Sequence, residues 1–256
     1  MQLLKDKIIF LTGGSKGIGF ECAKKYVEAG ATLAIVSNDD ASLVHCQELF
    51  GSRHTTISCD VSNAADVEKA INYTVKKFGR IDAIHNNAGI ANPSKPLHDT
   101  TAEEWEALFN VNLKSMFYTT KFGLKDLIAS EGCILTTSSL VAEIGQENHA
   151  AYTATKGAIN ALTKSMALDY AKYKIRVNAV APAGVWTPML EEWATAQENA
   201  AEIKEYLDKI HALNYCPAGD VIADACVFLL SDKARFMTGV IMPVSGGAEL
   251  GYRRSN

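Results

Sequence analysis

The chain has no run of basic residues, no C-x-x-C pair, no apolar stretch longer than a few residues and no Pro/Ser-rich linker. Each absence removes a class of protein. With a formal charge of −4 and no basic patch, the sequence offers nothing to neutralise phosphates, so neither nucleic acid nor an anionic membrane is expected as a partner. The apolar runs fall far short of a membrane span of about 20 residues. The opening "MQLLKDKIIF" meets two lysines and an aspartate early, which is no secretory signal, and a cytoplasmic address is expected. Cys22, Cys46, Cys59, Cys133, Cys216 and Cys226 are scattered and read as reduced core residues. No His/Cys/Asp cluster has zinc spacing, so no catalytic metal is expected.

What is present is ordinary globular material: 256 residues, 48% hydrophobic and 21% charged, enough for a sizeable core. Short β-branched runs alternate with helical patterns. "KIIFLT", "ATLAIVS", "TTISCDV", "RIDAIHNNAG", "GCILTTSS", "IRVNAVAP" and "GVIMPVSGG" read as strands separated by helices. That alternation implies βαβ crossovers and a parallel sheet covered on both faces. In "SNAADVEKAINYTVKKFG", Ser62 is the expected N-cap, Val67, Ala70, Ile71, Val75 and Phe78 the apolar stripe, and Gly79 the C-cap. The reading is one α/β domain over residues 1–256, doubly wound. One region breaks the rhythm. Residues 187–214 form a long helical excursion after "RVNAVAP", where ligands of such sheets bind, and are expected to act as a lid.

"TGGSKGIG" lies between the first strand and the first helix. Gly13 is expected in a tight turn, Gly17 where a pyrophosphate approaches, and Gly19 where the helix packs on the strand. The helix N-terminus then offers free N–H groups to phosphates. The spacing is G-x-x-x-G-x-G, and no G-K-[ST] ending follows, which excludes a P-loop. Together the elements point to dinucleotide binding. About twenty residues on, where an acidic side chain commonly takes the ribose hydroxyl, the text is "SNDD". Ser37 and Asn38 occupy the critical end, Asp39 and Asp40 stand beyond, and no arginine waits for a 2′-phosphate. Lys16 pulls the other way. NAD is preferred, with NADP left open. Asp60 in "CDV" either accepts from the adenine amino group or serves as a turn or N-cap residue.

"TGGSKGIG", "NNAG" at residues 86–89, a serine ahead of "YTATK", and "RVNAVAP" stand in one order along the chain. In this the protein resembles the short-chain dehydrogenase/reductase family over essentially its whole length. The resemblance implies a seven-stranded Rossmann-type sheet, a nicotinamide cofactor, and a catalytic set of Asn112, Ser139, Tyr152 and Lys156. The family's step from serine to tyrosine selects Ser139, with Ser138 in support. It further implies cofactor contacts from Gly13, Ser15, Lys16, Gly17, Ile18, Gly19, Ser37, Asn38, Asp60, Val61, Asn87, Ala88, Gly89, Pro182, Val185 and Thr187. "SSLVAEIGQ", "GVWTPMLEEWA" and "GGAELGY" look like the L-fucose dehydrogenase branch, whose animal members include a hydroxysteroid dehydrogenase of the same build. Two departures stand out: Ala183 where the family has glycine, and Ser37 where the animal branch has aspartate.

A free phenol has a pKa near 10, so work at neutral pH needs a shift of about three units, or about 4 kcal/mol. Lys156, one helical turn from Tyr152, is a source of that order: opposite charges 4 Å apart at an effective dielectric of 20 interact by about 4 kcal/mol. In the family picture Tyr152 exchanges the proton, Ser139 holds the reacting oxygen, Lys156 lowers the phenol pKa and holds the ribose, and Asn112 anchors a water. Glu143, Gln146 and His149 would suit a hydroxyl-rich substrate. Trp186, Met189 and Trp193 either line its pocket or pack as core. The expected reaction is hydride transfer between NAD(P) and a secondary or anomeric hydroxyl, as in a sugar such as L-fucose. A steroid or small-ketone reductase is the alternative, and a non-catalytic dinucleotide sensor a further one. A homotetramer is implied by the resemblance, through the helices of Asn112 and Tyr152 and the segment "GGAELGY".

Overall fold

A computed structural model of the chain describes residues 2–195 and 199–251. Seven parallel strands form one sheet in the order β3-β2-β1-β4-β5-β6-β7. They are β1 (Ile8–Thr12), β2 (Thr32–Ser37), β3 (Thr55–Ser58), β4 (Ala83–Asn86), β5 (Cys133–Thr137), β6 (Arg176–Pro182) and β7 (Ile241–Val244). Every strand expected from the apolar runs is present. The helices are α1 (Gly17–Glu28), α2 (Asp40–Phe50), α3 (Ala64–Phe78), α4 (Ala102–Phe109), α5 (Ser115–Ser130), α6 (Val141–Ile144), α7 (Ala150–Tyr170), α8 (Pro188–Thr195), α9 (Ala200–Lys209) and α10 (Asp220–Leu230).

Residues of β1 and β5 alternate between two cores because successive strand side chains point to opposite faces. Ile9, Leu11 and Leu135 pack with α1 and α10, through Cys22, Tyr26 and Cys226. Phe10, Ile84 and Ile134 pack with α3, α5 and α7, through Ile71, Leu127 and Met166. Both sheet faces are thereby covered, as a parallel sheet requires. All six cysteines are free and buried, and no helix among the described residues is long and apolar enough to cross a membrane.

Strand order reverses between β1 and β4, and the crevice opens there, beyond the carboxyl ends of the strands. Helix α3 ends at Gly79 in the left-handed conformation (φ 84°), as read from sequence, but its N-cap is Asn63. The Asn63 side chain accepts from Ala65 and Asp66 N–H, while Ser62 donates to Asp60 at 2.7 Å. The excursion after β6 is helical through α8 and α9. Residues 196–198 within it, and Tyr252 of "GGAELGY", lie outside the described residues.

Candidate active site

The glycine loop is built to let backbone come close. Gly13 (φ 62°) sits where an added Cβ would meet Ala88 Cα at 2.8 Å. At Gly19 a Cβ would stand 2.1 Å from the Gly13 carbonyl oxygen and 2.4 Å from Asn87 Nδ2. Gly19 thus serves packing of α1 on the loop itself. Thr12 locks the arrangement to the strand beside it: its hydroxyl accepts from the N–H of Asn87 at 3.0 Å and of Ala88 at 3.1 Å. Asn87 Nδ2 in turn donates to the carbonyls of Thr12 and Gly13. Sequence reading did not single out Thr12, because a threonine ending a buried strand carries no signal of its own.

Helix α1 begins without a side-chain cap and with no acidic residue in its first turn. Its first N–H groups and the positive end of its dipole therefore face the loop, an anion site. Thr187 lies against this opening, 3.4 Å from where a Gly17 Cβ would be. A cavity of about 530 Å³ runs between them, lined by Ser15, Lys16, Gly17, Trp186 and Thr187 and reaching Ser42 and His45 on α2. These features fit a nicotinamide dinucleotide. Val61, Pro182 and Val185 are buried, and Ile18 packs against the core beneath. Asn38 is exposed. Asp60 takes the turn role: its Oδ1 accepts from the Ser62 N–H and hydroxyl.

At the end of β2, Ser15 donates to Ser37 Oγ at 2.8 Å, and the Ser37 hydroxyl also accepts from Asp39 N–H. The Lys16 ammonium pairs with the Asp39 carboxylate. That cation, with hydrogen bonds from Ser42, holds the Asp39 carboxyl down at about 2. The charge of Lys16 is therefore already matched.

The four catalytic candidates converge from three segments. Asn112 sits in a π-helical turn spanning 110–114, between α4 and α5, a distortion that recurs at functional sites. Its Nδ2 donates to Ile90 O at 2.9 Å and to the Thr155 hydroxyl at 3.1 Å, and its Oδ1 accepts from Ile90 N–H at 2.8 Å. The side chain expected to anchor a water thus clamps the loop that follows "NNAG". Gly89 lets that loop in: a Cβ there would come within 3.3 Å of Asn112 Oδ1 and 3.8 Å of Lys156 Nζ.

Tyr152 and Lys156 lie one turn apart at the start of α7, with the ammonium 5.5 Å from the centre of the phenol ring. Lys156 Nζ donates to the Thr137 carbonyl at 2.8 Å. Burial pushes the Lys156 pKa down to about 8. Burial also pushes Tyr152 up to about 12, only partly offset by its hydrogen bond with Ser139. Burial thus opposes ionisation of Tyr152, and the charge that favours the phenolate is left to Lys156 together with the oxidised cofactor.

Of the residues expected at the substrate, Glu143 is committed elsewhere. Its Oε1 accepts from Asn160 Nδ2 at 2.8 Å, and Asn160 Oδ1 accepts from the Ser138 hydroxyl at 2.6 Å. That chain fastens α6 and the catalytic serine loop to α7, which gives Ser138 its supporting role. His149 is buried, hydrogen-bonds Glu147 O through Nδ1 at 2.9 Å, and sets its ring edge-on to Tyr152 at 6.4 Å. Gln146 is exposed beside it. Trp186 and Trp193 pack with Ala194, Leu207 and Cys216 in a small core of the helical excursion. Met189 is exposed.

A parallel sheet with a glycine-lined anion site at its switch point, beside a half-buried serine and tyrosine and a buried lysine, defines a nicotinamide-dependent oxidoreductase. Residues 13–249 match the family described as enoyl-(acyl carrier protein) reductase, and the chain belongs to the short-chain dehydrogenases/reductases. It is 38% identical over 249 residues to L-fucose dehydrogenase of Bos taurus, covering 97% of this chain and 91% of that one. Its structure is similar to aldohexose dehydrogenase of Thermoplasma acidophilum, with a TM-score of 0.90 and 32% identity over 99% of this chain and 98% of that one. It is also similar to 3-ketoacyl-(acyl-carrier-protein) reductase of Brucella melitensis complexed with NADH, with a TM-score of 0.88 and 29% identity over 96% of this chain and 99% of that one.

Proposed function

We propose that the protein is an NAD-preferring sugar dehydrogenase, oxidising the anomeric or a secondary hydroxyl of an L-fucose-like aldose. The observation that carries the reading is the meeting of Ser139, Tyr152 and Lys156 beside Gly89 and the glycine loop. The names of its relatives in cattle and Thermoplasma support a sugar. When bound, the nicotinamide supplies the carbon that exchanges hydride with substrate. Ser139 holds the reacting oxygen. Tyr152 takes the hydroxyl proton in oxidation and returns it in reduction. Lys156 and the positive charge of the oxidised cofactor bring the phenol toward ionisation. Asn112 is a positioning residue that fixes the loop of Gly89 against Lys156.

Preference for NAD is supported by three features of the β2 end: no arginine, the carboxylates of Asp39 and Asp40, and the pairing of Lys16 with Asp39. The excursion through α8 and α9 would cover the substrate as a lid. Self-association as a tetramer is supported by exposed Phe117 on α5 and Leu168 on α7, and light scattering reads it directly; a monomer refutes it.

The test is reduction of NAD⁺ by purified protein with L-fucose and a panel of aldoses, polyols and steroids. The expected result is activity with L-fucose or a related aldose, falling about 10²–10⁴-fold in Tyr152→Phe. Turnover of steroids alone would move the assignment to the hydroxysteroid branch. No turnover anywhere in the panel would refute it.

A further inference from the structure

Beneath the glycine loop, on the sheet face away from Tyr152's helix, four polar side chains meet in an otherwise apolar core. Cys22 and Tyr26 stand one turn apart on α1, Cys226 faces them from α10, and His85 projects from β4. All four are fully buried. One donor atom from each of Cys22, His85 and Cys226 lies within 4.8 Å of the others, the one such group among the described residues. The Tyr26 hydroxyl lies 2.9 Å from His85 Nδ1.

The role of His85 Nε2 follows from the bonds around it. Asn87 Nδ2 donates to two carbonyls, so its Oδ1 is the acceptor toward Thr137. The Thr137 hydroxyl spends its one proton on that Oδ1 at 3.0 Å. It must therefore accept from His85 Nε2–H, 3.0 Å away. The Nε2 proton is thus anchored on the far side of the ring, and Nδ1 faces the Tyr26 hydroxyl. A ring whose far N–H is anchored and whose near nitrogen offers a lone pair is the arrangement of a metal-ligating histidine with its orienting partner.

We propose that Cys22, Cys226 and His85 form a binding site for a thiophilic cation of the zinc class, with the Tyr26 oxygen as the fourth donor. Two thiolates and a neutral imidazole cancel a divalent charge, so the loaded site is neutral, as a dry core demands. Tetrahedral zinc, with bonds of about 2.3 Å to sulfur and about 2.0 Å to nitrogen, needs donors about 3.5–3.8 Å apart. The present spacing reaches this by side-chain closure of about 1 Å. Loading displaces the thiol protons of Cys22 and Cys226, so binding is expected to tighten with rising pH. Loading exchanges the Tyr26 hydrogen bond at Nδ1 for a metal bond and leaves the Nε2 anchor in place. It ties α1, β4 and α10 together outside the catalytic cleft. The site is independent of which substrate the enzyme takes.

The test adds Co²⁺, then Zn²⁺, to the full chain after chelator treatment under a phosphine reductant. Expected is one Co²⁺ per chain with a thiolate-to-cobalt charge-transfer band, displaced by Zn²⁺. The band is lost in Cys22→Ser and in Cys226→Ser and kept in Cys59→Ser. Thr137→Val, which leaves all ligands in place and removes the acceptor of the Nε2–H, should weaken binding about 10–100-fold. Zn²⁺ should raise the thermal midpoint of the wild-type protein and not that of Cys226→Ser. No charge-transfer band in the wild-type chain, or a band that persists in both cysteine variants, overturns the proposal.

Discussion

Lys156 is buried with its pKa pushed down from 10.5 to about 8, and this can be read as stability. A group whose folded pKa is lower than its unfolded one binds fewer protons when folded, so stability rises with pH between the two values. The sign is therefore fixed: the cost of burying the ammonium is present in full below pH 8 and has gone above pH 10.5. A displacement of about 2.5 units at about 1.4 kcal/mol each is about 3 kcal/mol. Lys156→Met has no such group. Both chains would be studied in a Tyr152→Phe background, because Tyr152, raised to about 12, would otherwise lower stability with rising pH over an overlapping range. The assay is urea unfolding at fixed protein concentration from pH 7 to 11. Relative to Lys156→Met, the chain retaining Lys156 should gain about 3 kcal/mol, or about 1 M in midpoint at a slope of 3 kcal/mol per M. Parallel profiles, or a gain of the opposite sign, would refute a desolvated lysine at this position.

The same two pKa values predict that substrate oxidation accelerates with rising pH and that carbonyl reduction slows, since Tyr152 acts as base in one direction and acid in the other; a flat pH–rate profile for oxidation would contradict the role. Gly19→Ala would drive a methyl group to 2.1 Å from the Gly13 carbonyl oxygen; it should cost about 2 kcal/mol or more of stability and abolish cofactor binding, measured by cofactor fluorescence titration. Asp39→Asn frees Lys16 from its partner, and the ratio of kcat/KM with NADP⁺ to that with NAD⁺ should rise several-fold, more at low salt than at high. Asn112→Ala leaves the N–H and carbonyl of Ile90 without their partner; it should cost about 1–3 kcal/mol and weaken cofactor binding, and a loss of kcat alone would instead favour a water-anchoring role.

Local chemistry made much of the protein legible. A β-branched run of four to six residues can only be a strand when a helical pattern follows it, so all seven strands were readable from sequence. The glycine loop announced itself because positive φ and close backbone approach leave few substitutes for glycine. The pairing of Tyr152 with Lys156 is likewise a one-dimensional property, since four residues make about one helical turn, whereas Ser139 was singled out by the family resemblance. The choice between Ser62 and Asn63 as cap was not legible, because adjacent residues can both cap and only the chain path selects one.

Sequence by itself determined the fold class and the dinucleotide loop, because each is encoded by neighbours along the chain, and its motif order supplied the candidate catalytic residues through family resemblance. Tertiary structure decided what depends on contacts across it. Burial sets the direction of the Tyr152 and Lys156 shifts. Glu143 is drawn to Asn160 because α6 folds back on α7, and Trp193 goes to a small core because α8 packs against α9. The meeting of Cys22, His85 and Cys226 belongs to the same class. No spacing rule joins residues so far apart in sequence; two helices packed on one strand bring them within bonding reach.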